Sequence, residues 1–194
     1  MSHPGSEPKS DYPSMAPCLL LAIPQLADPN FEKSVVLLVE NQEEGSVGLV
    51  LNQPTEVLVK DVLISLSMDW KGREDSCVWN GGPVMKEQGW VLHSAAGSEV
   101  LPKPVAVSDG IYLSGTSDQL KGLSESPPEH TRFFLGSSGW GKDQLEAEIA
   151  QGWWLTLEVD YELVFETPPQ DVWEKAFRSL GIDPGTFTFN STIH

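Results

Sequence analysis

Phe133-Phe134-Leu135-Gly136-Ser137-Ser138-Gly139-Trp140-Gly141-Lys142-Asp143-Gln144-Leu145-Glu146 is the stretch on which the reading of this chain turns. Phe133–Leu135 is apolar and aromatic, which predicts a strand. Three glycines then fall within six residues, Gly136, Gly139 and Gly141. Glycine costs backbone entropy, so such a cluster points to unusual φ/ψ or to close backbone approach. We read this segment as a glycine-rich turn. Beyond it, Leu145 and Ile149 stand four apart on one face of a helix predicted over Asp143–Gln151, with Asp143 meeting the positive end of its dipole.

Gly136-x-x-x-x-Gly141-Lys142 matches a phosphate-binding loop up to its last position. Position 143 is Asp where that loop needs a hydroxyl for magnesium, and Trp140 puts bulk where small residues belong. A tight strand-to-helix turn is the simpler reading.

Downstream, Trp154–Val159 is strand-like and Leu163–Phe165 is a candidate further strand. Pro168-Pro169 open a last helix whose Val172, Trp173, Ala176, Phe177 and Leu180 share one face, and Gly181 stops it. Upstream, Leu19–Ile23 reads as a buried strand, Asp28-Pro29-Asn30-Phe31 as a turn or helix start, and Ser34–Glu40 as a central strand. Glu43–Ser46 turns into Val47–Leu51, and Pro54 ends that strand. A short helix is expected over Lys60–Leu66. Cys77–Trp79 and Gly89–His93 flank Gly81-Gly82-Pro83 as a strand–turn–strand unit, and Val105–Val107 and Ile111–Leu113 do the same around Asp109-Gly110. Ser117 caps a helix through Leu123. The sum is an α+β domain of mostly antiparallel units with about four packed helices. Residues 1–14 are polar and rich in Pro, Ser and Gly, and read as a flexible tail ahead of a single domain over 15–194.

Acidic residues number 28 against 12 Lys plus Arg, a formal net charge of −16. Such a field repels phosphate backbones, which disfavours direct nucleic-acid binding. Cys18 and Cys77 lack metal-type spacing and make no disulfide framework, so a reducing cytoplasm is expected. The apolar block Cys18–Ile23 is too short for a membrane span and has no basic flank, so no membrane association is expected. His3, His93, His130 and His194 never pair at ligand spacing, and neither a metal nor a cofactor is expected. His93-Ser94 lie adjacent on a strand and point to opposite faces, which argues against a catalytic pair. Glu146 and Glu148 read as solvated helix surface. Trp153, Trp154 and Trp173 read as packing rather than a ligand cage.

Taken together, these segments resemble the AlgH/YqgE family of bacterial proteins. The resemblance is carried by Ile23–Phe31, Glu43–Thr55, Gly81–Val84 with Gly89–Ser94, Leu135–Gly141 with Gln144–Glu146, and Trp173–Asp183, in order along nearly the whole chain. It implies a bifurcated, mostly antiparallel sheet curled into a pseudo-barrel. It also carries the label of a transcriptional regulator, and the charge and the lack of a helix-turn-helix pattern argue against direct DNA contact. The family pattern has Tyr-Ala where this chain has Ser137-Ser138.

The leading expectation is therefore a non-enzymatic regulatory or interaction protein, with a protein or small-molecule partner and room for a homo-oligomer. Its candidate binding residues are Asp28, Asn30, Phe31, Gly81, Gly82, Pro83, Gly136, Gly139, Trp140 and Gln144, provided the three turns that carry them converge. The rival is an enzyme or sensor for a nucleotide or other phosphorylated metabolite at 136–142, with Lys142 as the phosphate contact.

Overall fold

Continuous apolar runs, rather than alternating ones, build the centre of this molecule. Cys18–Ala22 (β1) is Cys-Leu-Leu-Leu-Ala, and its leucines are fully buried on both sides of the sheet. Leu19 and Leu21 face one apolar cluster, and Leu20 and Ala22 face another. Val35–Gln42 (β2) repeats the division, with Val35 and Leu37 against the first and Val36 and Leu38 against the second. A strand covered on both faces has no solvent side, so the period-2 pattern vanishes.

The computed structural model describes residues 13–95 and 103–187. Most of the tail expected over 1–14, together with 96–102 and 188–194, lies outside the described residues. The remaining strands are Gly45–Val50 (β3), Pro54–Leu58 (β4), Cys77–Asn80 (β5), Val84–His93 (β6), Val105–Ser108 (β7), Ile111–Ser114 (β8), Thr131–Gly141 (β9) and Trp154–Leu157 (β10). Among the described residues four α-helices accompany them: Val59–Ser65 (α1), Ser117–Glu125 (α2), Gln144–Ala150 (α3) and Pro169–Ser179 (α4).

The sheet runs β10-β1-β2-β3-β9-β6-β8-β7 and curls into a half-barrel. It forks along one edge of β9. There β3 pairs antiparallel with Gly139–Gly141 and Ser138, while β5 pairs in parallel with Phe133–Leu135 and carries β4 outward. The α+β class and the bifurcated, curled sheet are as expected.

Four local expectations give way. The glycine-rich segment 136–141 is not a turn. It continues β9, because ladders to β3 on one edge and β6 on the other outweigh the poor strand propensity of Gly and Ser. Cys77–Trp79 and Gly89–His93 are not a hairpin, since β9 lies between β5 and β6. Pro54 does not end the strand that precedes it, which stops at Val50; it begins β4, as a missing N–H permits at the first residue of an edge strand. Leu163–Phe165 sits in a π-helical turn, Glu162–Glu166, held by the Leu163 N–H donating to Asp160 Oδ1 at 2.8 Å. A short apolar run looks alike in strand and buried helix.

Each helix covers a different part of the sheet. α4 lays Val172, Trp173, Ala176 and Phe177 on the β1–β2 face, and the Trp173 indole donates to the Ala22 carbonyl at 2.8 Å. Pro169 opens it and Gly181 closes it at φ +74°. α3 seats Leu145 on the opposite face. α1 and α2 cover the β5–β6–β9 wing through Val59, Leu63 and Leu123. Each fully buried leucine contributes roughly 1.5–3 kcal/mol relative to exposure. α2 begins with a capping box: the Gln119 N–H donates to Thr116 Oγ1, and Gln119 Oε1 accepts from the Thr116 N–H.

Candidate functional site

Gly81, Gly82 and Gly136 meet where the sheet forks. The Gly81 N–H donates to the Leu135 carbonyl at 2.9 Å, and its own carbonyl accepts from the Val50 N–H at 3.0 Å and the Ser138 hydroxyl at 3.2 Å. A Cβ on Gly81 would collide with the Gly136 carbonyl, and one on Gly82, at φ +144°, with the Ser137 backbone. Gly136, at φ +76°, would place a Cβ 2.6 Å from the Gly82 carbonyl. The glycines therefore serve close backbone approach, inside a sheet instead of at a turn.

The Asp28–Phe31 turn is tied to this fork through Gln53. Asp28 Oδ1 accepts from the Asn30 N–H at 2.8 Å, an Asx turn. Gln53 Nε2 donates to the Asn30 carbonyl at 3.0 Å, Asn80 Nδ2 donates to Gln53 Oε1 at 2.8 Å, and the Gly82 N–H donates to Asn80 Oδ1 at 3.2 Å. Phe31 reaches the third segment, stacking on Trp140 at 6.1 Å and meeting the edge of Trp154 at 5.4 Å. Gln144 stands beside it, its Oε1 accepting from the Gly141 N–H at 3.0 Å. Gly139 is exposed and Pro83 half-buried. The three segments thus come together, yet the Gly81, Gly82 and Asn30 N–H groups are already donated within the protein.

Glu148 is not solvated surface. Its Oε2 accepts from both the Trp140 indole, at 3.0 Å, and the Trp154 indole, at 2.8 Å. Gln144 Nε2 donates to its other oxygen at 2.8 Å. Glu146 likewise reaches inward, accepting from Asn41 Nδ2 at 2.9 Å.

A phosphate cradle needs free backbone N–H groups, whereas 137–141 lie in the ladders of β9 with β3 and β6, and the Gly141 N–H donates to Gln144. Lys142 is exposed and bonds Glu43 at 2.9 Å, which raises the lysine pKa and lowers that of the carboxylate. Asp143 holds the N-cap of α3 in a left-handed conformation and makes no side-chain capping bond. His93 is fully buried between the Ser94 carbonyl (Nδ1, 2.8 Å) and the Ser114 hydroxyl (Nε2, 3.0 Å), and burial holds its pKa below the usual histidine value. Burial also pushes the Cys18 thiol up to about 11, away from the reactive thiolate. Arg132 lies 4.3 Å over the Trp79 ring and donates to the Leu51 and Phe165 carbonyls, and burial lowers its pKa to about 10, so it stays cationic at neutral pH. No cluster of three potential metal ligands occurs among the described residues.

The concave features lie elsewhere, around Trp90. On one side, α1, β5, β6, β9 and the start of α2 enclose a cavity of about 370 Å³. On the other, a wider recess of about 1010 Å³ opens between the end of β2, the start of β6 and β7. Gln88, Trp90, Gly115 and Thr116 border both. The Trp90 ring rests on Gly115, where a Cβ would stand 3.1 Å from it, and the buried indole nitrogen has no hydrogen-bond partner among the described residues. β6 slips register between Val84 and Gly89, and within that slip Met85 is 61% exposed at φ +48°. Bulges and strained residues concentrate beside functional sites. The sequence reading missed this region because it began the strand at Gly89, past the irregular part.

The AlgH-like family model (DUF179) matches residues 19–185. The chain belongs to the AlgH-like family. A UPF0301 protein of Myxococcus xanthus is 41% identical over 172 residues, covering 88% of this chain and 93% of that protein. One from Thioalkalivibrio sulfidiphilus is 40% identical over 167 residues, covering 84% and 88%. The solution structure of the AlgH protein from Pseudomonas aeruginosa superposes with a TM-score of 0.70 at 31% identity, over 90% of this chain and 94% of that one. A Corynebacterium diphtheriae protein, DIP2367, shares the fold at TM-score 0.68 and 21% identity, over 84% of this chain and 86% of its own. In this AlgH-like chain the departure at Ser137-Ser138 falls on buried positions. Ser138 bonds Gly81, and the Ser137 hydroxyl has no partner among the described residues.

Proposed function

We propose that this AlgH-like chain is a cytoplasmic, non-catalytic interaction module that regulates through a bound partner rather than by contacting DNA. The observation that carries this reading is the apolar groove between α1, β6 and α2, lined in part by the exposed Leu66 (51%) just past the end of α1, whose Ile64 is also exposed (66%). Exposed apolar surface beside a groove is the usual mark of an interaction face. The net charge of −16 supports a protein or small-molecule partner over a nucleic acid. Among the described residues no helix is long and apolar enough to cross a membrane.

The test is affinity capture with the wild-type chain beside an Ile64→Asp/Leu66→Asp variant of unchanged melting temperature. A partner retained by the first and lost by the second supports the reading. Identical profiles would overturn it.

A further inference from the structure

Gly89 is a glycine without a packing reason. At Gly81, Gly82, Gly45 and Gly136 an added Cβ would strike backbone, whereas at Gly89 it would meet nothing within 4 Å. Nor does its φ fall in the left-handed region that favours glycine. A strand pays in entropy and lost packing for an interior glycine, and such a residue commonly marks a place where another molecule approaches the backbone. The space above Gly89 is the cavity of about 370 Å³, within the roughly 300–1,000 Å³ range of small-molecule pockets.

We infer that this cavity is a binding site for a compact, uncharged, largely aromatic or alicyclic small molecule lying over Gly89. The inference rests on the interaction-module reading and names a ligand for its groove. The walls dictate the class. Phe133 and the aliphatic side chains of α1 pack together on this face, and the lining is predominantly apolar. Glu87 is the one ionisable side chain among the lining residues, and it is exposed. Among the described residues an anionic ligand would therefore find a like charge and no cation, and burying an unpaired charge is costly. The polar contribution comes from Gln88 on β6, Ser114 at the end of β8, and Thr116 and Ser117 at the start of α2. A single hydrogen-bonding group on an otherwise apolar ligand belongs there.

The cavity is tested with N-phenyl-1-naphthylamine, a neutral aromatic probe that fluoresces in apolar surroundings, titrated into the full chain. Gly89→Leu projects bulk from the floor, where an added Cβ meets nothing within 4 Å among the described residues, and Val62→Phe fills the cavity from α1 should the first variant fail to fold. The expected result is saturable binding of one probe per chain, weakened at least tenfold in whichever variant melts as the wild type does. An anionic naphthalene sulfonate probe is expected to bind at least tenfold more weakly than the neutral one. No saturable signal from folded wild type, or binding unaltered in a folded filled variant, would overturn the site. Equal binding of the anionic probe would overturn the ligand class. The interaction reading stands or falls separately, on capture by Ile64 and Leu66.

Discussion

Gly81 and Gly136 touch backbone to backbone at the point where the sheet forks, with the Gly81 N–H on the Leu135 carbonyl and its Cα against the Gly136 carbonyl. No side chain fits between them, so the fork depends on both being glycine. Gly81→Ala is expected to cost about 2–4 kcal/mol, in the range of severe overpacking. Gly136→Ala adds a left-handed penalty to its collision. Gly181→Ala has the same positive φ with nothing near its Cβ, so it should cost only about 1 kcal/mol. Denaturant midpoints of the three variants separate collision from conformation, and similar losses at Gly136 and Gly181 would refute the backbone contact as the cause.

Glu148 holds two buried tryptophan indoles on one oxygen. Glu148→Ala leaves both N–H groups without a partner, which should destabilise the fold by about 2–4 kcal/mol. Glu148→Gln keeps an accepting oxygen for the indoles and should cost under about 1.5 kcal/mol. Equilibrium unfolding gives the energies, and near-ultraviolet circular dichroism should report the loosened Trp140–Trp154 pair in the alanine variant alone.

What was legible in the sequence and what was not divides on physical lines. Leu19–Ala22 and the Val172–Phe177 stripe declared themselves because burial on both faces, or on one helical face, writes directly into residue order. Of the glycines in 136–141, Gly136 alone makes the close backbone approach that the cluster announced, while Gly139 and Gly141 meet only side chains; the partners of Gly136, Gly81 and Gly82, lie more than fifty positions away, and local propensity therefore favoured a turn over a strand. Glu148 was misjudged for the same reason, since its indole partners come from strands on either side of its helix. Asp28, Asn30 and Phe31 were rightly singled out as a distinctive turn, and their connection to Asn80 and Trp140 needed the fold. Gly89 looked like an ordinary strand boundary, because neither a register slip nor the open space over a glycine leaves a periodic trace.

His93 makes stability depend on pH in a definite direction. The geometry places its proton on Nδ1, donated to the Ser94 carbonyl, and leaves Nε2 to accept from the Ser114 hydroxyl. Burial lowers the folded-state pKa below the ordinary value of 6.5, the Ser94 bond opposing it only in part. The unfolded chain therefore binds the proton first as pH falls, and stability from this group is complete above 6.5 and lost as pH descends through the folded pKa. Unfolding free energy measured from pH 7.5 to 5.5 should decline in the wild type. In His93→Gln, which starts less stable, the decline over that window should be smaller, and an unchanged slope would assign it to other groups.

Gln53 is the side chain on which the convergence of the candidate segments depends. It donates to the Asn30 carbonyl and the Ser34 hydroxyl, accepts from Asn80, and so couples the Asp28–Phe31 turn to the glycine fork. Gln53→Ala removes these bonds while leaving the backbone pairing of β5 with β9 in place, so the expected cost is about 1–2 kcal/mol. Amide hydrogen exchange can localise that cost. The Ser34 N–H, which closes the turn onto the Phe31 carbonyl, and the Gly82 N–H, held by Asn80, should exchange faster in the variant. The Gly81 N–H, donated to Leu135 within the fork, should stay protected. Uniform acceleration at all three would mean that Gln53 supports global stability alone. Acceleration confined to the first two would make the Asp28–Phe31 turn a separately movable element beside a rigid fork, consistent with a surface that adjusts to a partner while the sheet beneath it holds still.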